Sequence, residues 1–236
     1  MEITWKTKTN QKIIWKEEGI HGIFILKEQD FKNVLPSVPM QGLEVVKELE
    51  EFHQNTVYER VYQEIRRKDL ELKNPKKRML DSFKIVDLSP DIIDRSYLQL
   101  SSSERKKLSL SLALLSNPSI LMIEEPFRNL DKKNERRLLL LFQKMQEEYD
   151  KTIILISKDP NILYQSTKNI LLFHNQKVIR QGSTKEVLED IEFLEKEDYP
   201  SPEIVQFTNL VKTKKKVKID YHKDVRDIMK DIYKHV

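Results

Sequence analysis

Residues 100–131 read LSSSERKKLSLSLALLSNPSILMIEEPFRNLD, and this uninterrupted run carries most of the fold information in the chain. Ser101, with Glu104 three residues later, is typical of a helix N-cap, and the following segment favours a helix that ends at an Asn-Pro step. The apolar run 119–123 then predicts a buried strand that leads directly into two adjacent glutamates. The run therefore predicts a capped helix followed by a core strand that ends in paired carboxylates.

The alternation of helix and strand continues after this run. The pattern predicts a long helix over 132–149 and an apolar strand over 152–157, followed by two further strands (NILLF and KVIRQG) and a helix (TKEVLEDI). Unbroken apolar strands that alternate with helices predict an α/β fold with a parallel sheet buried on both faces.

The segments before the run are less uniform. Residues 1–26 predict short strands, whereas 27–56 are left unassigned because two prolines and a glycine interrupt them. The stretch TVYERVYQEIRR then predicts a helix, because Val57, Val61 and Ile65 recur on one face.

The tail, residues 200–236, predicts further helices around one dense basic run, residues 212–218. That run is either a solvated loop or a patch that faces anionic lipid headgroups, where each lysine contributes about 1 kcal/mol. The last helix of the tail places four apolar or aromatic residues on one face: Val225, Ile228, Ile232 and Tyr233.

Composition limits the classes of function. The 236 residues allow one large domain, or one domain with a small appendage. A net charge of +4 with closely matched acids and bases predicts no nucleic-acid partner. The absence of cysteine excludes disulfides, thiolate catalysis and cysteine-based zinc sites. We find neither a signal-peptide apolar region nor a stretch of about 20 apolar residues, so we expect a cytoplasmic chain that reaches a membrane only by docking.

Residues 100–131 resemble the signature-to-Walker-B block of ATP-binding-cassette proteins, in which L-S-G-G-Q, a basic helix, an N-P break, an apolar strand, D-E-P and L-D follow one another. Residues 152–188 resemble the switch strand, the helix after it, the two-stranded hairpin and the final helix that follow in that family. The tail resembles the C-terminal extension of energy-coupling-factor ATPases. The resemblance implies a P-loop-NTPase-like nucleotide-binding domain over 1–199, with a reduced β-subdomain and a helical signature subdomain over about 56–116. It implies a C-terminal helical extension over 200–236.

The resemblance places the phosphate loop in LKEQDFKN. Lys32 falls on the lysine position and Asn33 on the Ser/Thr position, whereas the glycine positions hold Leu26, Gln29 and Phe31. Glycines let backbone amides close around a phosphate, so we expect this loop to bind MgATP poorly. The alternative is that Lys32 is an ordinary surface lysine.

The resemblance also assigns the acid pair and the switch residue. Glu124 takes the metal-binding position, with a side chain one methylene longer than the usual aspartate, and Glu125 takes the position of the glutamate that activates water. Lys158 takes the switch position that is normally histidine and supplies a cation of different geometry. The acid pair is either catalytic or vestigial.

In the signature, Ser101, Ser102, Ser103 and Glu104 would cap the γ-phosphate of ATP bound to a partner subunit. A plain N-cap box explains the same residues. Asp131 matches the aspartate of the loop that couples two subunits.

Two further assignments complete the implied site. Gln54 is matched to the glutamine that senses the γ-phosphate and the membrane partner. Trp5 either stacks on adenine or packs as a strand aromatic in the core.

The function implied is an ATP-binding-cassette subunit, degenerate and weakly active or inactive, of an energy-coupling-factor-type transporter. It would lie on the inner face of the cell membrane and pair with a second ATPase, as a homodimer or heterodimer, and with a transmembrane subunit. Its cofactor would be MgATP if it is active, or none. The alternatives are a working ATPase with a non-standard phosphate loop, and a non-catalytic interaction protein that has left transport.

Overall fold

A computed structural model describes residues 2–15, 18–47, 56–68, 70, 73–215 and 219–234. The chain divides into two compact units, one formed by Met1–Val38 with Leu155–Val236 and the other by Pro39–Ile154. In chain order, the strands of the described residues are β1 (Ile3–Lys6), β2 (Lys12–Trp15), β3 (Ile20–Ile25), β4 (Leu43–Val46), β5 (Ile120–Glu124), β6 (Thr152–Ser157), β7 (Asn169–His174) and β8 (Lys177–Ser183).

The α-helices of the described residues follow the same order. They are α1 (Glu28–Val34), α2 (Val57–Arg67), α3 (Pro75–Ile85), α4 (Ser102–Leu114), α5 (Lys132–Tyr149), α6 (Pro160–Ser166), α7 (Thr184–Leu188), α8 (Ile191–Lys196), α9 (Glu203–Lys215) and α10 (Val225–Lys234).

The first unit contains a mixed sheet. β3 is buried along its whole length and pairs in parallel with β7, as predicted for a strand covered on both faces. β8 pairs with β7 antiparallel, as expected for the hairpin that the resemblance implies. The reason is the two-residue turn between them: Asn175 and Gln176 both have positive φ (48° and 66°), the conformation of a tight hairpin.

Trp5 lies in the hairpin that β1 and β2 form by antiparallel pairing. Its ring is buried, and its indole N–H donates a 3.0 Å hydrogen bond to the carbonyl of Val34. Of the two sequence alternatives, core packing is therefore confirmed. A buried indole whose only donor is already satisfied does not offer its face to an adenine ring.

The tail forms two helices, as predicted, but its surface differs from the prediction. On α10, Ile228 is buried whereas Val225 and Tyr233 are 52% and 75% exposed, so the predicted apolar face is covered only in part. The first part of the basic run belongs to α9 and not to a loop. In it, the ammonium of Lys212 lies 3.6 Å from the ring centroid of Tyr221.

The second unit pairs β4 in parallel with β5 and carries α2 to α5. α2 begins after Thr56, whose side chain accepts a hydrogen bond from the Glu59 amide, and it buries the predicted Val57, Val61 and Ile65. The predicted helix over 132–149 and the predicted strand over 152–157 are also confirmed.

α1 and β4 lie in the segment that sequence patterns left unassigned. Seven and four residues are too short for hydrophobic periodicity to emerge, and prolines separate them. No helix of the described residues has the length and apolar character needed to cross a bilayer.

Candidate functional site

The connection from β3 to α1 is where the phosphate loop was predicted. β3 ends at Ile25 and α1 begins at Glu28, so Leu26 and Lys27 alone join them. A phosphate loop needs several non-helical residues whose amides point inward, with glycines where the backbone meets the phosphate. Here most of the predicted loop is helix, and no such cradle is formed.

The side chains of α1 point to the same conclusion. Phe31, at a predicted glycine position, is buried in the core, whereas Lys32 is exposed in the last turn. Helix N-termini attract anions and C-terminal turns do not. The geometry therefore does not favour the predicted phosphate contact from Lys32.

A surface pocket of about 400 Å³ lies beside α1 in the first unit. The structure brings the predicted Lys32 and Asn33 together along its wall. The remaining lining side chains are one acid and three amides, Asp30, Gln29, Asn175 and Gln176.

Lys158, the predicted switch residue, follows the end of β6. Its ammonium lies 3.4 Å from a carboxylate oxygen of Glu28, the first residue of α1. The two side chains are 40% and 72% exposed, so the pair contributes at most about 1 kcal/mol. The cation at the predicted switch position thus faces an acidic side chain of the same chain.

A buried polar cluster lies under α1 and was not predicted. His174 Nδ1 lies 3.0 Å from Asp30 Oδ2, and the Asp30 side chain is 1% exposed. The ring of Tyr199 packs edge-on against His174. Burial raises the pKa of the Tyr199 hydroxyl, and the charge of Asp30 acts in the same direction. No sequence pattern could have identified the pair, because 144 positions separate its two members.

The acid pair lies in the second unit. Glu124 ends β5 half-buried, and Glu125 adopts a left-handed backbone with φ of 41°. The main-chain oxygen of Glu125 accepts a 3.2 Å hydrogen bond from the amide of Arg128 and a 3.1 Å bond from the ammonium of Lys106. Lys106, on α4, was not among the predicted site residues.

The signature serines form the start of α4. Ser101 Oγ accepts a 3.3 Å hydrogen bond from the Glu104 amide, and Glu104 Oε2 accepts from both the amide and the hydroxyl of Ser101, at 2.8 Å each. Ser102 and Ser103 are the first two helical residues. The N-cap interpretation is confirmed, and the role of these residues in capping a partner's phosphate stays a prediction.

The carboxylate of Glu104 is held in its charged form. Burial by itself raises its pKa, but hydrogen bonds from Ser101 and the positive charges of Arg95 and Lys107 outweigh this and lower the pKa below 4.5. The nearest Arg95 nitrogen lies 3.5 Å from the carboxylate. The hydrogen bonds between Ser101 and Glu104 are therefore charge-assisted, and they cap the N-terminus of α4.

The last two predicted positions have different outcomes. Asp131 is the N-cap of α5, and its carboxylate accepts a 2.7 Å hydrogen bond from the amide of Asn134. Its coupling role stays a prediction. Gln54 lies outside the described residues.

Comparison with known proteins identifies the family. A family model described as ABC transporter matches residues 6–128. The chain belongs to the ABC transporter family. It is related to the Energy-coupling factor transporter ATP-binding protein EcfA2 of Staphylococcus aureus (strain MRSA252), with 32% identity over 124 residues, which are 52% of this chain and 43% of that protein.

The protein of the same name from Mycoplasma capricolum subsp. capricolum is 28% identical over 138 residues, which are 58% of this chain and 48% of that protein. The chain spans about half the length of the curated relatives it matches. A solved structure of cbiO1 from Clostridium perfringens, part of the ABC transporter complex cbiONQ, superposes with a TM-score of 0.62 at 20% identity. The superposed region covers 85% of this chain and 91% of the cbiO1 chain. This likeness confirms the α/β fold of an ABC nucleotide-binding domain.

The ABC transporter family normally binds MgATP, and the residues present here do not fit it in the usual way. The two-residue connection before α1 leaves no amide cradle, and a lysine ammonium hydrogen-bonds the backbone of the acid pair. In the described part of the chain, no three His, Asp or Glu side chains converge into a metal site.

We expect His174→Ala to destabilise the protein by about 3 kcal/mol, because it leaves the buried carboxylate of Asp30 without its imidazole partner. Urea unfolding followed by tryptophan fluorescence measures this loss. The double variant His174→Ala/Asp30→Asn should recover part of it, since the uncompensated charge is then absent. A loss below about 1 kcal/mol would contradict the role of the pair.

We expect Glu104→Gln to cost about 0.5–1 kcal/mol at neutral pH, allowing for solvent screening of this partly exposed group. The folded-state pKa is lowered, so the carboxylate stabilises the fold above 4.5 and this contribution is lost as the pH falls below that value. The stability difference between wild type and Glu104→Gln should therefore shrink between about pH 5 and pH 3.

The matched control is Ser101→Ala, which removes the hydroxyl that Glu104 accepts from. In that background Glu104→Gln should have a weaker dependence on pH. If the stability difference between wild type and Glu104→Gln stays constant between about pH 5 and pH 3, the charge of Glu104 does not stabilise the cap.

Proposed function

We propose that this chain is a subunit of an energy-coupling-factor-type membrane transporter that does not hydrolyse ATP through its own phosphate loop. It would pair with a second ATPase, identical or different, and couple to a transmembrane subunit at the inner face of the membrane. The observation that carries the proposal is the two-residue connection between β3 and α1. It replaces the segment from which the family's phosphate cradle is built.

Local charge supports the same proposal. The first turn of α1 carries Glu28 and Asp30, where an incoming phosphate would need positive potential. Two like unit charges 4 Å apart repel by about 4 kcal/mol at the dielectric of a protein surface. Lys158 offers compensation, but its ammonium already lies next to Glu28. Binding of a polyphosphate at this helix is therefore opposed by both backbone and charge.

Exposed apolar side chains support a role that depends on partners. In α9, Phe207 and Leu210 are exposed, and in α10, Val225, Met229 and Tyr233 are exposed at four-residue spacing. Such residues on a helix face favour contact with another protein. We propose that 200–236 form an extension, distinct from the cassette over 1–199, through which the chain meets its partner ATPase.

The other predicted site residues have modest roles under this proposal. Ser101, Ser102, Ser103 and Glu104 start the signature helix, and they would face a nucleotide only if the partner ATPase holds one. Asp131 caps α5. Glu125 and Lys158 keep the positions of the family's catalytic groups without completing a hydrolytic site.

We expect titration calorimetry with MgATP to detect no binding tighter than about 1 mM, which corresponds to less than roughly 4 kcal/mol of binding free energy. Any residual ATP turnover by the purified chain should be unchanged in Glu125→Gln. Turnover that this substitution abolishes would favour a working ATPase with a non-standard phosphate loop and would contradict the proposal.

We expect the chain, used as bait on detergent-solubilised membranes, to return a second ATPase and a membrane-spanning subunit identified by mass spectrometry. Met229→Lys places a charge on the exposed face of α10 and should reduce recovery of the ATPase without unfolding the chain. Recovery of neither partner would rule out the transporter role. Recovery of water-soluble proteins alone would favour an interaction protein that has left transport.

A further inference from the structure

The acid pair at the end of β5 lies beside a lysine of the signature helix. Lys106 is half-buried on α4, and its ammonium lies 3.1 Å from the main-chain oxygen of Glu125. Lys106 and Glu124 also line the same small cavity in the second unit, with a volume of about 20 Å³.

Adjacent carboxylates at the end of a buried strand have an electrostatic cost. Glu124 and Glu125 are both half-buried, and without a nearby cation their negative charges would repel in a medium of lower dielectric than water. The resemblance assigns Glu124 to a metal-binding position. Here an ammonium, a compact charge with three donors on a flexible stem, hydrogen-bonds the main-chain oxygen of Glu125.

The backbone at this point also needs support. Glu125 has φ of 41°, a left-handed conformation that is uncommon for a residue with a side chain. Its carbonyl accepts hydrogen bonds from the Arg128 amide within the turn and from Lys106 on a separate helix. The second bond ties the turn to α4, a helix of 13 residues whose later part is buried.

We propose that the ammonium of Lys106 serves as the counter-ion of the acid pair Glu124-Glu125. Its ammonium positions the Glu124-Glu125 turn and supplies the positive charge that a divalent metal would otherwise supply. The acid pair is therefore held in place without a bound metal ion. This inference does not rest on the proposed transporter role, because it concerns contacts within one unit of the isolated chain.

The test is thermal unfolding of the full chain without nucleotide. Lys106→Met keeps most of the stem but removes the charge, and it should lower Tm by about 4–8 °C, as expected for the loss of a charged hydrogen bond in a chain of this size. Glu124→Gln in the Lys106→Met background should restore at least half of that loss, because it relieves the repulsion between the carboxylates. A lysine that only packs its stem would show no such rescue, and that result would overturn the proposal. An unchanged Tm in Lys106→Met would also overturn it.

The matched control is Lys107→Met. Lys107 is the next residue on α4, and its ammonium pairs with the carbonyl and carboxylate of Asp87 and not with the acid pair. Glu124→Gln should not rescue this variant. If Lys106→Met fails to fold, Lys106→Gln replaces it in the same comparison, since it keeps a donor for the Glu125 carbonyl but carries no charge.

A second measurement uses MgCl₂ alone as the probe. At about 10 mM MgCl₂ the wild-type Tm should move by less than about 1 °C, because the position of the cation is already filled. A larger rise in Tm that Glu124→Gln abolishes would show a metal bound at the acid pair and would overturn the proposal.

Discussion

The direct passage from β3 into α1 is the constraint on which the first unit depends. β3 is buried along its length, and α1 follows after two residues, with Phe31 and Val34 in the core. Opening this segment into a longer phosphate-binding loop would remove those side chains from their packing. The cost of exposing two large apolar side chains is about 3–6 kcal/mol. The chain thus has the fold of an ABC nucleotide-binding domain, and the segment where the phosphate loop was predicted packs into the core.

In each unit, a lysine lies close to an acidic segment that was predicted to belong to the nucleotide site. In the first unit, Lys158 at the switch position faces the carboxylate of Glu28. In the second unit, Lys106 faces the turn that carries Glu125. Glu28 supplies to Lys158 the negative charge that a nucleotide phosphate would bring. Lys106 supplies to the Glu125 turn the positive charge that a metal ion would bring. These two contacts are the physical basis for our proposal that the chain does not hydrolyse ATP through its own phosphate loop.

Sequence patterns predicted the elements with strong periodicity or clear caps. The α4 capping box, the helix over 132–149 and the strand over 152–157 follow from local residue chemistry, because each interaction joins residues within one turn or one strand. α1 and β4 were missed since each is too short to show a period. β8 was expected to form a hairpin with β7, and the two-residue turn before it gives that pairing.

The sequence by itself determined the fold class, the family and the start of the signature helix, because these depend on residue order and spacing. Only the tertiary structure decided what surrounds the predicted site. Lys106 meets the Glu125 carbonyl from 19 positions away, and Asp30 meets His174 from 144 positions away. It also decided that most of the segment predicted as the phosphate loop is helical and that Trp5 is a core residue. Contacts between elements depend on how strands and helices pack, and local sequence does not encode the identity of a distant neighbour.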